Sequence, residues 1–252
     1  MDDNEKALIL DKSYTCPICD KKIKVKTVKT NVAKFVGTGP DLRPFHSNIN
    51  VTKYEVASCN FCGYTALIKD FPNTTQTQRK LLRERIQANY KSHDEVPCDT
   101  YSVETAISRM KMALLCTVSK GGKEGEIGNL CLKISWLYQD LADELSENEP
   151  SYEEKKEAYL AEAHNQAMNA YDHLTKARMS EDYPIAGMNE TTLDYLLSYL
   201  AYEKGEYQTA MQYLSGVVTT RGISSRLKDK CLELKEMISP KLHEGENENE
   251  NE

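Results

Sequence analysis

Two short pairs, Cys16-Pro-Ile-Cys19 and Cys59-Asn-Phe-Cys62, constrain this chain more than any other feature. Each presents two thiols on one tight turn. Zn²⁺ takes four ligands, with sulfur at about 2.3 Å, so two such turns facing each other supply a whole tetrahedral shell. The spacing predicts one Zn²⁺ site built from Cys16, Cys19, Cys59 and Cys62. Four thiolates leave no position for water or substrate, so the metal is expected to be structural. The competing readings are four unrelated core thiols or two redox pairs. A thioredoxin-type pair sits at a strand-to-helix junction in a βαβ setting, and neither pair has that context.

Thirty-nine residues separate Cys19 from Cys59, enough to carry structure of their own. Lys22-Ile23-Lys24-Val25-Lys26-Thr27 alternates strictly and reads as a half-buried strand with lysines facing water. Gly37-Thr38-Gly39-Pro40 is a turn signal, and Tyr54 to Ala57 alternates again into the second pair. These segments predict two β-hairpins pinned by one metal. Gly63 after Cys62 and Asp20 after Cys19 suit the left-handed backbone that closes a metal knuckle.

After Phe71-Pro72 the apolar period changes from two to 3.6. Asn73 with Gln76 is read as the cap of a helix carrying Leu82, Ile86 and Tyr90, ending before Pro97. Val103 to Leu114 line a second helix stopped by Gly121-Gly122, and Ile127 to Leu145 a third. Ser151 and Glu154 suggest a capping box for a fourth, carrying Tyr159, Ala163, Ala170 and Leu174. Three more are expected at Thr191 to Lys204, Tyr207 to Thr220 and Ser225 to Ser239, the last ended by Pro240. Around Gly205, the residues Leu197, Ser198, Ala201, Tyr207, Ala210 and Leu214 fall in the pattern of a tetratricopeptide repeat. Neighbouring segments depart from its period of about 34 residues, so the repeats would be degenerate, with an ordinary α-bundle as the alternative. The fold class expected is therefore α+β, a small zinc-ribbon-like β domain at 13–71 followed by an α-helical tetratricopeptide-like array at 73–240. Residues 241–252, rich in Glu and Asn, are expected to form a disordered acidic tail.

Cys16 to Cys19, the segment Gly39-Pro40-Asp41-Leu42-Arg43-Pro44, Asn48-Ile49-Asn50, Tyr54-Glu55-Val56 and Cys59 to Tyr64 together resemble the N-terminal signature of a bacterial family, domain of unknown function 2225. The resemblance continues through Ala106–Leu115, Cys131–Tyr138 and Tyr195–Val217. In that family the asparagine matching Asn50 is usually followed by proline, where this chain has Val51. The resemblance implies a zinc-ribbon-like N-terminus and a helical, repeat-like C-terminus, and no established activity.

Composition narrows the function classes. No apolar stretch approaches the roughly 18 to 20 residues that span a bilayer. Met1 to Lys12 begins with acids and has a short apolar patch, so no secretory signal and a cytoplasmic location are expected. Cys98, Cys116, Cys131 and Cys231 then read as reduced, buried hydrophobes. The net charge is −7, yet residues 1–69 carry eleven Lys/Arg against seven Asp/Glu. The lysine series Lys21, Lys22, Lys24, Lys26, Lys29 and Lys34 makes nucleic-acid binding by the ribbon the alternative function. Against it stand the acidic balance and the lack of interleaved aromatic platforms. His46, His93, His164, His173 and His243 form no metalloprotease pattern, and no phosphate loop or nucleophile elbow occurs, so no enzyme is expected. Trp136 with Tyr138, Tyr159, Tyr171, Tyr195, Tyr199, Tyr202 and Tyr213 would form either inter-helix core or a peptide groove. The expected function is a zinc-binding interaction or scaffold protein whose helices take a protein or peptide partner. The sequence leaves the oligomeric state and the partner open.

Overall fold

The alternation around Val25 forms β2 (Lys22–Val28), with Ile23 and Val25 buried and Lys22 and Lys24 facing water. It pairs antiparallel with β1 (Ile9–Thr15), placing Thr15 opposite Lys22 and Ile9 opposite Val28. Only Ile9 of β1 is buried, so this edge strand carries no alternating signal, and the β region begins before the expected boundary at 13. A short helix, α1 (Asp3–Leu8), precedes it. The computed structural model describes residues 3–93 and 98–249. Pro97, expected as a helix stop, lies outside the described residues, as does the end of the acidic tail at 250–252.

The insert between the cysteine pairs forms a third hairpin, β3 (Phe35–Thr38) with β4 (Pro44–His46), and β5 (Val56–Ser58) pairs with β6 (Thr65–Leu67). The turn falls at Gly39 to Leu42, where Asp41 Oδ1 accepts the Arg43 N–H at 3.0 Å. Gly37 and Thr38, expected in the turn, belong to β3.

The helical part comprises α2 (Gln76–Arg85), α3 (Val103–Ser119), α4 (Glu124–Glu144), α5 (Tyr152–Ser180), α6 (Glu190–Glu203), α7 (Tyr207–Thr219) and α8 (Ser225–Asn249). Two caps differ from expectation. Thr75 and Gln78, not Asn73 and Gln76, form the capping box of α2. Ser151 adopts φ +59 and makes no capping bond, because a left-handed residue turns its side chain away from the first-turn N–H groups. α8 continues through Pro240 to Asn249, beyond the expected stop and into the region read as a disordered tail.

α4 and α5 approach closely at Gly128, where a Cβ would lie 2.7 Å from Leu174 Cγ. α6 and α7 turn at Gly205 (φ +83) and pack through Ser198, Ala201 and Ala210, with Ser198 Oγ donating to the Ala210 carbonyl at 2.7 Å. One apolar cluster joins α4 to α8, running from Ile127 to Ile238. A second holds the four paired cysteines with Tyr64, Phe71, Leu82, Ile86 and Cys116, so α2 and one face of α3 share the core of the hairpins. The other face of α3 packs Val103, Ile107 and Met110 with Val56 and Leu67 against α4. The fold is α+β, with a helical C-terminal array, and a cut between 71 and 73 would divide one core.

Candidate metal centre

The β1–β2 and β5–β6 turns are built alike. The Cys16 N–H donates to the Lys21 carbonyl at 3.0 Å and the Asp20 N–H to the Cys16 carbonyl at 2.9 Å. In the second turn the Cys59 N–H reaches Tyr64 O and the Gly63 N–H reaches Cys59 O, both at 2.8 Å. Each loop closes on a left-handed residue, Asp20 at φ +59 and Gly63 at φ +77. At position 63 the requirement for glycine is doubled, since a Cβ would meet the Tyr90 ring at 2.5 Å.

These turns aim four Sγ atoms at one point. Cys16 lies 3.6 Å from Cys62 and Cys19 lies 3.6 Å from Cys59, with all four Sγ atoms within 4.8 Å of one another. Tetrahedral bonds of about 2.3 Å place neighbouring sulfurs about 3.8 Å apart, so the donor number, softness and spacing fit Zn²⁺. Cys16, Cys59 and Cys62 are buried and Cys19 is half-buried. Hydrogen bonds from Cys16 and Cys62 pull the Cys59 thiol down to about 2, while its bond with Cys59 pushes Cys16 up to about 12. Cys62 is pushed up as well, chiefly by its contacts with Cys16 and Cys59. Four thiolates crowded this closely need a cation to ionise together.

A fifth cysteine stands apart. Cys116 donates to the Gly63 carbonyl at 3.7 Å, and burial pushes its thiol up to about 11. Cys131 and Cys231 are buried as expected, whereas Cys98 is exposed, a correction: it belongs to none of the apolar clusters of the described residues. Residues after α2 clasp the second knuckle. Asn60 Nδ2 donates to the His93 carbonyl at 2.9 Å, and Tyr90 lies over Gly63. Helical periodicity placed Tyr90 on a helix face and could not reveal this clasp.

The other candidates disperse. Lys26 pairs with Asp11 at 3.1 Å and Lys29 donates to the Ala7 carbonyl at 2.6 Å, leaving Lys22 and Lys24 as outward cations of β2 with no ion pair among the described residues. His46 packs edge-on against Phe35, and His173 meets Glu124 at 2.6 Å. Trp136, Tyr171 and Tyr195 are buried, and Tyr138, Tyr159, Tyr199, Tyr202 and Tyr213 are half-buried among the helices, so these residues form no exposed stripe among the described residues.

An interlock missed in the sequence joins the insert to the helices. Arg43 donates to Asp140 at 3.1 Å and Asp143 at 2.9 Å, and Asn50 Nδ2 donates to Asp140 at 2.7 Å. Burial raises the Asp140 carboxyl, opposed by the Asn50 hydrogen bond and the Arg43 charge. Lys230 of α8 reaches the Thr38 and Gly39 carbonyls, and Tyr195 donates to Pro40 O at 2.8 Å. Asn50 also caps a 3₁₀ turn at Val51–Tyr54, which forms without proline at position 51. On the insert's side, Gly39, Pro40, Arg43 and Asn50 lie in the Gly39–Pro44 and Asn48–Asn50 motifs, the available signal for this half of the interlock.

Among the described residues no helix is long and apolar enough to cross a membrane. No curated protein and no solved structure matches the chain. The knuckles, the interlocking motif and the helices through Ile238 instead fall within one match, over residues 9–238, and by that match the chain belongs to the family of uncharacterised proteins conserved in bacteria, DUF2225.

Proposed function

We propose that this protein is a cytoplasmic, non-catalytic interaction module in which structural Zn²⁺, held by Cys16, Cys19, Cys59 and Cys62, fixes a hairpin that a tetratricopeptide-like array carries to a protein partner. The observation behind it is the β3–β4 hairpin. Phe35, Val36 and Phe45 are 49%, 67% and 40% exposed on it, yet its base is held by Arg43, Lys230 and Tyr195. Side chains held out rigidly from an anchored scaffold lose little entropy on contact, which favours binding. Arg226 of α8 lies 5.9 Å from the Phe35 ring, so the surface continues onto the helices. The tyrosine groove considered from sequence contributes nothing to this reading.

The test is a photo-crosslinking side chain at Val36, compared with one at Lys24, in nuclease-treated lysate. Protein adducts specific to position 36 support the module. Adducts confined to position 24 and lost with nuclease would favour the nucleic-acid alternative, and no adduct at 36 counts against the hairpin.

A further inference from the structure

Between the first hairpin and α4 lies an open cleft of about 790 Å³. Its size is that of a small-molecule site, for which a few hundred to about 1,000 Å³ is usual. Its apolar lining comes from Leu10, Val28, Val51, Leu67 and Ile68, and its charged lining from Lys12, Glu55, Lys69 and Lys133. Lys69 and Asn129 also border a smaller adjoining cavity of about 200 Å³.

Asn129 is the informative residue. It is 8% exposed, lines both cavities, and its side-chain amide has no hydrogen-bond partner among the described residues. An amide that faces an open cleft and holds no protein partner is available to hydrogen-bond a ligand or water. The next turn of α4 brings Lys133 into the same cleft, oriented by Glu55 at 2.6 Å and by the Trp136 ring at 5.2 Å. Lys69 forms no ion pair among the described residues, and Lys12 also lines the cleft. Three lysines against the single carboxylate of Glu55 make the cleft cationic. The smaller cavity sets Asp70, Glu126, Glu181 and Asp182 against Lys69, Lys120 and Lys123, with Lys120 held by Glu126 at 2.9 Å, so its balance is acidic where that of the cleft is basic. A negative head would therefore stop at the neck, beside Asn129 and Lys69, with an apolar body along Leu67 and Val28.

We propose that this cleft binds an amphipathic organic anion, a carboxylate or phosphate monoester whose apolar part fills the wall and whose head is held by Lys69, Lys133 and the Asn129 amide. The site joins the metal-pinned hairpin to the helical array, so its occupant would tie the two regions together.

Isothermal titration of the full-length, zinc-loaded protein tests it with decanoate, decyl phosphate and decylamine, three probes of one chain length and different heads. The expected result is saturable binding at one site for an anionic probe, at least tenfold tighter than for decylamine. Comparison of the two anions reports which head is preferred. Lys69→Glu, an exposed change that leaves the core alone, is expected to weaken the anionic probe at least tenfold, and Asn129→Leu to weaken it further. Absence of saturable binding of either anion, equal affinity for decylamine, or unchanged affinity in Lys69→Glu would overturn the proposal.

Discussion

Around the cysteines, the β1–β2 and β5–β6 sheets of two strands each leave much of their backbone edge unpaired, whereas α4 through α8 bury one apolar cluster from Ile127 to Ile238. A two-stranded hairpin is marginal in water, so the first region needs a covalent or metal constraint. The second has small residues at its helix contacts, at Gly128, Ala170, Ala201 and Ala210, and large ones between, and needs none. The difference teaches where stability is local and where it is conditional. It also shows that α2 and one face of α3 belong to the conditional side, because Leu82, Ile86 and Cys116 pack with the cysteines.

The largest effect should break the comparison outright. Zn²⁺ binding to a four-cysteine site supplies on the order of 10 kcal/mol of apparent folding energy at neutral pH. Purified protein is expected to hold one zinc per chain by elemental analysis, and Cys59→Ser to lose it. Hydrogen exchange should then show β1, β2, β5, β6 and α2 opening while α6 and α7 stay protected. Full protection of α2 after verified metal removal would contradict the shared core.

A smaller effect separates the two cores. Leu82 and Leu174 are both 0% exposed, and truncating either leaves a cavity costing about 2–5 kcal/mol. In thermal melts Leu174→Ala should destabilise the protein with or without zinc. Leu82→Ala should do so only with zinc bound, since its core is already lost without it. Equal effects of Leu82→Ala in both states would show that α2 folds with the array.

What could be read from sequence divides along the same line. The four cysteines and the left-handed positions Asp20 and Gly63 were legible because metal geometry fixes ligand type and local backbone together. The helices of the array were legible because burial on one side imposes a 3.6 period. β1 was not, because a strand with one buried residue leaves no pattern. Nor were the Tyr90 clasp and the Arg43–Asp140 interlock, whose partners are distant in sequence and have no periodic signature. The unpartnered amide of Asn129 was invisible for a different reason: on α4 it occupies a buried position that periodicity would give to an apolar residue.

The interlock gives the third test, now of the joint between the regions. Arg43 and Asp140 are 13% and 18% exposed, so Arg43→Ala strands a buried carboxylate and should cost about 3 kcal/mol near neutral pH. The sign of its pH dependence follows from Asp140. Burial already raises this carboxyl, so its ionised form opposes folding, and stability is lost as pH rises through its folded pKa. Removing Arg43 raises that pKa further. The variant's deficit should be full above it and shrink as pH falls and Asp140 becomes protonated. Denaturant melts from pH 7 to pH 4.5 read this directly, and in Asp140→Asn the effect of Arg43→Ala should be small and flat with pH.

The smallest effect compares two helix starts that look alike in sequence. Ser151 and Glu154 stand at the start of α5 with the spacing of a capping box, and Thr75 and Gln78 stand at the start of α2 with the same spacing. Only Thr75 accepts from the backbone, at 3.2 Å from the Gln78 N–H, while Gln78 returns the bond at 3.1 Å. Thr75→Ala should therefore cost about 1 kcal/mol. Ser151, at φ +59, holds a conformation that glycine adopts without strain, so Ser151→Gly should be neutral or stabilising by about 0.5 kcal/mol. The cap also reports on the larger division. Because α2 shares the cysteine core, the cost of Thr75→Ala should appear in zinc-loaded protein and vanish after chelation, while Ser151→Gly should act equally in both. A Thr75→Ala penalty that survived chelation would place α2 among the helices that stand without the metal.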